Sequence, residues 1–218
     1  MAVYTDIAND ELNAFVADYD IGEVVSSKGI AEGVENTNYL VQTDQDNFIL
    51  TLYEKRVNPD DLPFFLGLLD HLADKGFPCP TPVHGRDGEV LRRLADRPAA
   101  MVSFLKGVWH RKPRTVHCAG VGRIMAELAL AGQDYTIPRP NALTLPNWRP
   151  LFEACDGQAN SVADGLAEEI ETELTWLEKS WPEDLPTGVI HADMFPDNVF
   201  FLGDKLSGVI DFYFACND

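Results

Sequence analysis

His191-Ala192-Asp193-Met194-Phe195-Pro196-Asp197-Asn198, followed by Val199-Phe200-Phe201-Leu202 and later by Leu206-Ser207-Gly208-Val209-Ile210-Asp211-Phe212, is the stretch on which the chain turns. It reads His-x-Asp-x-x-x-x-Asn, an apolar run, and a second apolar run that ends in an acid. Gly203-Asp204-Lys205 between the runs is a hairpin signal. Its register stays open. With Asp204-Lys205 as the turn, Asn198 and Asp211 face each other across the ladder, Cα atoms roughly 5 Å apart. Gly203-Asp204 is better turn chemistry and slides the register by two. Single acids at strand ends are common, and a hairpin with an acid at each mouth and a core histidine is the plain alternative. His, Asp, Asn and a second Asp in this order around one hairpin are far more specific.

Such a set suits phosphoryl transfer from a nucleotide. That chemistry needs a group to meet the proton of the acceptor hydroxyl, oxygen ligands for Mg²⁺, and rigid positioning of both. Asp193 is then the candidate base, and Asn198 and Asp211 are candidate Mg²⁺ ligands of the hard-oxygen type. Carboxylates are feeble general bases at neutral pH, so the main contribution of such a residue is to orient the hydroxyl for in-line attack.

With 218 residues the chain can build one sizeable core or two small lobes. A formal net charge of −18 argues against nucleic acid and against an anionic membrane surface as partners. The four cysteines (79, 118, 155, 216) are far apart and make no metal-binding pattern. The N-terminus has no basic segment followed by an apolar one, and no apolar run approaches the ~18 residues of a membrane span. A cytoplasmic protein with reduced thiols is expected.

Working outward, helical spacing predicts a helix over 9–19 with Asn9 as its N-cap, and a strand over 21–25. The segment 29–38, with Gly29 and Gly33, lies between that strand and another over 39–43, an arrangement that lets backbone N–H groups lie over phosphates. Glu32 and Glu35 in it would have to point away from them. Residues 47–53 alternate, with Thr51 on the inward face and Lys55-Arg56 just past the end. Leu62, Phe65, Leu66, Leu69, Leu72 and Ala73 make the apolar stripe of a helix over 59–75. Pro78, Pro80 and Pro82 extend the next segment, Asp87-Gly88 is a turn, and 99–105 is a buried strand ending at Lys106-Gly107. A long, mostly apolar and buried helix is expected from Thr115, through Val116, Ile124, Leu128 and Leu130. Helices over 148–155 and 161–180 follow, the second with a solvated glutamate face. The shift in character at 107–114 is the one candidate boundary, dividing 1–106 from 107–218.

The whole pattern resembles the aminoglycoside-phosphotransferase/choline-kinase family of small-molecule kinases, and more narrowly its homoserine-kinase branch. The residues that carry the resemblance are 191–198 and 209–218, supported by Gly33-Val34-Glu35-Asn36-Thr37-Asn38-Tyr39, by 48–56 and by Arg139-Pro140-Asn141. The resemblance implies an α+β, protein-kinase-like two-lobed fold with an antiparallel-sheet N-lobe and a mainly helical C-lobe. ATP would lie between the lobes, with Mg²⁺, and the side-chain hydroxyl of L-homoserine would be phosphorylated on the route to threonine. Carried over by position, Asp193 is the base and Asn198 and Asp211 are the metal ligands. Gly29, Gly33, Asn36, Thr37 and Asn38 cover phosphate, Lys55 reaches back to the nucleotide, and Ser103, Phe104 and Leu105 form the adenine hinge. His191 fixes the catalytic loop.

Two departures stand out. The phosphate-gripping lysine is absent from its usual place, where Thr51 stands, and no glutamate partner for it appears near Phe64-Phe65 of the following helix. Relatives also continue for several helices past the metal-binding acid, so a C-lobe incomplete at Asp218 is expected. An amino-acid acceptor needs a cation for its carboxylate and an acid or carbonyl for its amine, for which Arg139, Asn141, Tyr213 and Asp218 are the candidates. Other small hydroxyl acceptors (choline, methylthioribose, fructosamine) remain open, as does a kinase-like protein that holds nucleotide without turnover.

Overall fold

In the computed structural model, which describes residues 3–31, 36–54 and 57–218, the alternating runs of the first hundred residues form one antiparallel sheet. Its strands are β1 (Val24–Gly29), β2 (Thr37–Thr43), β3 (Asn47–Leu52), β4 (Arg92–Leu94) and β5 (Arg97–Ser103), in the order β1-β2-β3-β5-β4. On β3, Leu50 faces Tyr39 on one side and Met101 on the other, while Thr51 faces Asn38 and Ala100. Period-two alternation therefore separates two faces. Val41, Leu50, Leu52, Ala99 and Met101 pack on Leu12, Phe15 and Val16 of helix α1 (Asn9–Val16). Tyr53 and Ala100 pack on the opposite side, against helix α2 (Leu62–Asp74).

Two local expectations are corrected. The strand expected over 21–25 begins at Val24 and runs to Gly29. Ser26, Ser27 and Lys28 hide it, because an exposed edge strand with a bulge after Val24 shows no apolar alternation. Helix α1 is capped at Ala8 rather than Asn9, and Glu11 Oε2 accepts from the Ala8 amide at 3.3 Å. The β4–β5 turn is made by Ala95 and Asp96, with φ of 48° and 58°, a two-residue turn without the glycine that usually announces one.

Helix α2 follows a 3-10 turn over Pro59–Asp61 and buries Leu62, Phe64, Phe65, Leu66, Leu68, Leu69 and Leu72. That is more than one stripe. The sheet takes one side, and the other meets Ile124 and Leu128 of helix α3 (Thr115–Ala131) together with Val189, Val209 and Phe212. Each such side chain contributes about 1.5–3 kcal/mol on burial, so this helix anchors the core. Helix α3 is less buried than its composition suggests: Val116 and Leu130 are exposed, because it meets β6 (Val189–Ile190) and, past β7 (Val199–Leu202), β8 (Lys205–Val209) along a narrow face.

By proximity the chain divides into Met1–Arg139 with Val189–Cys216, and Pro140–Gly188 with Asn217–Asp218. Residue 106, the expected lobe boundary, lies inside the first unit. The second unit holds helices α4 (Leu145–Glu153) and α5 (Leu166–Ser180). Trp148 and Trp181 meet edge to face at 5.1 Å, and Arg149 pairs with Glu171 and Glu178 at 2.9 and 2.6 Å. Two of the glutamates expected only as a solvated face thus staple α4 to α5. Among the described residues no cysteine forms a disulfide, and no helix is long and apolar enough to cross a membrane.

Candidate active site

Strand β6 delivers His191, whose ring is buried and bonded at both nitrogens. Nε2 lies 2.9 Å from the Ile210 carbonyl, and Nδ1 lies 3.2 Å from the Asp193 amide. Only the neutral ring with its proton on Nε2 satisfies both partners. Burial pushes its pKa below the ordinary histidine value, against the bond to Ile210 and the Asp193 charge. Phe212 closes over the ring at 4.6 Å. His191 therefore holds the catalytic loop in shape, and Ala192 is kept at φ 61°, a conformation costly for a residue with a Cβ.

Asn198 is the second fixed point. Its Nδ2 donates to the Asp193 carbonyl at 2.8 Å and to Asp193 Oδ2 at 3.0 Å. Its backbone amide donates to Phe195 at 3.0 Å, and its carbonyl accepts from Ile210 at 3.0 Å. The reverse amide orientation would set Oδ1 against two oxygens of Asp193, so Nδ2 is the atom bonded to Asp193 and Oδ1 the other. It has no protein donor among the described residues. That amide oxygen and the carboxylate of Asp211, next in sequence to the ladder partner of Asn198, are donors of the type that fits Mg²⁺. Asp211 itself is exposed, left-handed at φ 66°, and opens the 3-10 turn Phe212–Phe214. Among the described residues no three His, Cys, Asp or Glu come together as a metal cluster.

The hairpin register falls between the two expected alternatives. Leu202 pairs with Lys205, so Gly203-Asp204 is the turn, with Gly203 at φ 63°. A straight ladder from there would set Asn198 opposite Val209. A bulge after Phe200 shifts the register by one, Phe200 pairs with Gly208 and Val199 with Val209, and Asn198 ends opposite Ile210. Asp211 is thus one residue past the partner of Asn198 rather than opposite it.

On the expected nucleotide side, the Ser103 and Phe104 amides are already bonded, to Thr81 at 2.8 Å and Asn47 at 3.3 Å. The Leu105 amide has no acceptor among the described residues, and its side chain rests on Gly208, where any Cβ would come within 2.6 Å of it. Gly29 lies in the ladder opposite Tyr39, not in a loop. Gly33 and Lys55, with Glu32, Glu35 and Arg56, fall outside the described residues.

Asn36 and Thr37 are buried on Glu54, which the sequence reading passed over. Glu54 Oε1 accepts from Thr5 Oγ1 at 2.7 Å and Thr37 Oγ1 at 2.8 Å, and Oε2 meets Arg97 Nε at 3.0 Å. Burial alone would push its pKa up, but these donors outweigh it and hold the carboxyl below its usual value. Partners so distant in sequence leave no local signal of such a hub.

In the places that the family resemblance gives to the lysine and its glutamate, both absent from this sequence, the structure holds neutral side chains. Thr51 Oγ1 donates to Asn38 Oδ1 at 2.7 Å. The phenols of Tyr53 and Tyr213 lie 3.3 Å apart, and Phe65 meets the Tyr213 ring edge-on at 5.7 Å. Burial pushes the Tyr213 phenol up to about 12 and the Tyr53 phenol well up too, so both stay protonated. Arg139 lies over Phe65 at 4.8 Å and donates to Asp61 Oδ2 and the Ala215 carbonyl, each at 2.9 Å. Within the second unit, Asn141 Nδ2 donates to Asp218 Oδ2 at 2.9 Å. A cleft of about 280 Å³ beside Asp193 is lined by Met125, Leu128, Val189, His191 and Met194.

Residues 26–218 match the family described as phosphotransferase enzymes. The whole chain aligns with the homoserine kinase of Paramagnetospirillum magneticum at 62% identity, covering 69% of that protein. It also aligns with that of Rhodospirillum rubrum at 62%, covering 68%, and with that of Rhizobium meliloti at 59%, covering 67%. The chain thus spans about two thirds of the length of these relatives. Among solved structures, spectinomycin phosphotransferase in complex with ADP and spectinomycin superposes with a TM-score of 0.73 at 14% identity, over 98% of this chain and 71% of that one. An amicoumacin kinase in complex with AMP-PNP and Ca²⁺ gives 0.75 at 12%, over 96% and 65%. These likenesses establish an α+β, protein-kinase-like fold.

Proposed function

The chain belongs to the phosphotransferase enzyme family, and from that premise we propose that it is an ATP-dependent kinase of the side-chain hydroxyl of L-homoserine. The observation that carries the proposal is identity of about 60% to homoserine kinases along the whole chain, over a site whose Asp193 is held by Asn198. Asp193 orients the acceptor hydroxyl and takes up its proton, while Asn198 and His191 keep its loop from moving. Asn198 Oδ1 and Asp211 are the proposed holders of Mg²⁺, which when bound neutralises charge on the transferring phosphate. The Leu105 amide is the proposed hinge donor to adenine. Residues 1–106 are proposed as the nucleotide lobe and 107–218 as the C-terminal lobe, with the enzyme working in the cytoplasm. Of the residues expected on the acceptor side, Arg139 and Tyr213 have contacts that favour a role within the fold, and Asn141 and Asp218 stay as the acceptor-side proposal.

The test is Mg-ATP-dependent ADP release with L-homoserine beside choline, methylthioribose and L-serine. Selective turnover of L-homoserine is the expected result. Preference for another acceptor would reassign the substrate, and nucleotide binding with no turnover would remove the catalytic role.

A further inference from the structure

Among the described residues of β1, β2 and β3 the one cationic side chain is Lys28, exposed at the sheet edge. The inward position of β3 is occupied by Thr51, buried and directly opposite Asn38 on β2. Their side chains meet at 2.7 Å, the separation of an O–H···O bond, so the Thr51 hydroxyl donates and Asn38 Oδ1 accepts. Both N–H groups of the Asn38 amide are then left without a protein acceptor among the described residues. Two residues on from Thr51, the Tyr53 phenol meets the Tyr213 phenol at 3.3 Å. Tyr213 sits two residues past Asp211, in the 3-10 turn that the proposed metal acid opens.

We propose that Thr51 takes the place of the absent lysine: it locks the Asn38 side chain so that its amide N–H groups are held out as neutral donors to the phosphate oxygens of a bound nucleotide. The proposal rests on the nucleotide-dependent function given above. A lysine at Thr51 would be buried in the sheet with no glutamate at Phe64 or Phe65 of α2 to pair with it, and an unpaired charge desolvated in that way is costly. Neutral donors avoid that cost and still meet phosphate oxygens with short, charge-assisted bonds. Thr51 acts through Asn38, as a positioning residue.

The experiment is calorimetric binding of Mg-ADP and of adenosine to the full chain, with Thr51→Val, Asn38→Asp and Lys28→Met beside the parent. Thr51→Val keeps the volume and removes the donor, and is expected to weaken ADP about three- to tenfold with adenosine unchanged. Asn38→Asp replaces the donors with a negative charge on a half-exposed side chain, and is expected to weaken ADP by more than about tenfold, again sparing adenosine. If Thr51→Val does not fold, Asn38→Asp carries the test alone. Unchanged ADP affinity in Asn38→Asp, or parallel loss of ADP and adenosine, overturns the proposal. So does loss of the preference for ADP over adenosine in Lys28→Met alone. A parent chain that binds neither ligand would instead overturn the kinase function and this proposal with it.

Discussion

Asn198 Nδ2 donates to Asp193 twice, at 2.8 Å to its carbonyl and at 3.0 Å to its carboxylate, and so couples the proposed metal ligand to the proposed base. One side chain fixes the catalytic loop and leaves its amide oxygen without a protein donor among the described residues. Removing it should disturb acid–base positioning and metal affinity at once.

Asn198→Ala is therefore expected to lower kcat and to raise the Mg²⁺ concentration needed for half-maximal turnover by about ten- to hundredfold. A Mg²⁺ titration of turnover checks this. A fall in kcat with an unmoved Mg²⁺ midpoint would leave Asn198 as a loop staple only.

His191 satisfies the Ile210 carbonyl and the Asp193 amide from inside the core. His191→Phe keeps the ring contact with Phe212 and leaves both groups without a partner, at a cost of about 2 kcal/mol. For a domain of this size that corresponds to a Tm lower by roughly 4–8 °C, measured by calorimetry. An unchanged Tm would contradict the assignment.

Glu54 supplies a pH dependence with a definite sign. Its folded-state pKa lies below the ordinary 4.5, so its stabilisation is complete above that value and is lost as pH falls through the folded value. Glu54→Gln should cost about 2 kcal/mol at neutral pH. The Tm gap between parent and variant should then narrow as pH drops below about 4.5. A gap constant from pH 7 to pH 4 would rule out the ionised carboxylate as the stabilising form.

Arg139 joins the start of α2, through Asp61 and Phe65, to the Ala215 carbonyl past the proposed metal acid. Arg139→Lys keeps the charge and loses the fork geometry. It is expected to lower stability by about 1–2 kcal/mol with little change in the KM for acceptor. A raised acceptor KM at unchanged Tm would return Arg139 to the substrate carboxylate.

What was legible in the sequence follows from how local its causes are. Helix α2 announces itself because five large apolar side chains, Leu62, Phe65, Leu66, Leu69 and Leu72, repeat at helical spacing within one segment. The identities of Asp193, Asn198 and Asp211 stand in a compact pattern, and so does the absence of the lysine. The hairpin register was not legible, because a bulge at Ser207 shifts the ladder without altering the apolar pattern. β1 was half missed because an edge strand of serines and a lysine buries little. Glu54 was missed because its partners, Thr5 and Arg97, come from distant strands and segments. The Thr51–Asn38 pair needed the strand register before its two polar side chains met.

The measurement that bears most directly on the function is transfer of labelled phosphate from γ-labelled ATP to L-homoserine, run on the parent chain and on Asp193→Asn with Mg-ADP affinity measured in parallel. The predicted result is a labelled phospho-amino acid from the parent, a rate lower by about two to four orders of magnitude in Asp193→Asn, and equal nucleotide affinity in both. Comparable transfer in the two proteins would remove Asp193 from the chemistry. Absence of label from the parent, with nucleotide still bound, would contradict the kinase itself.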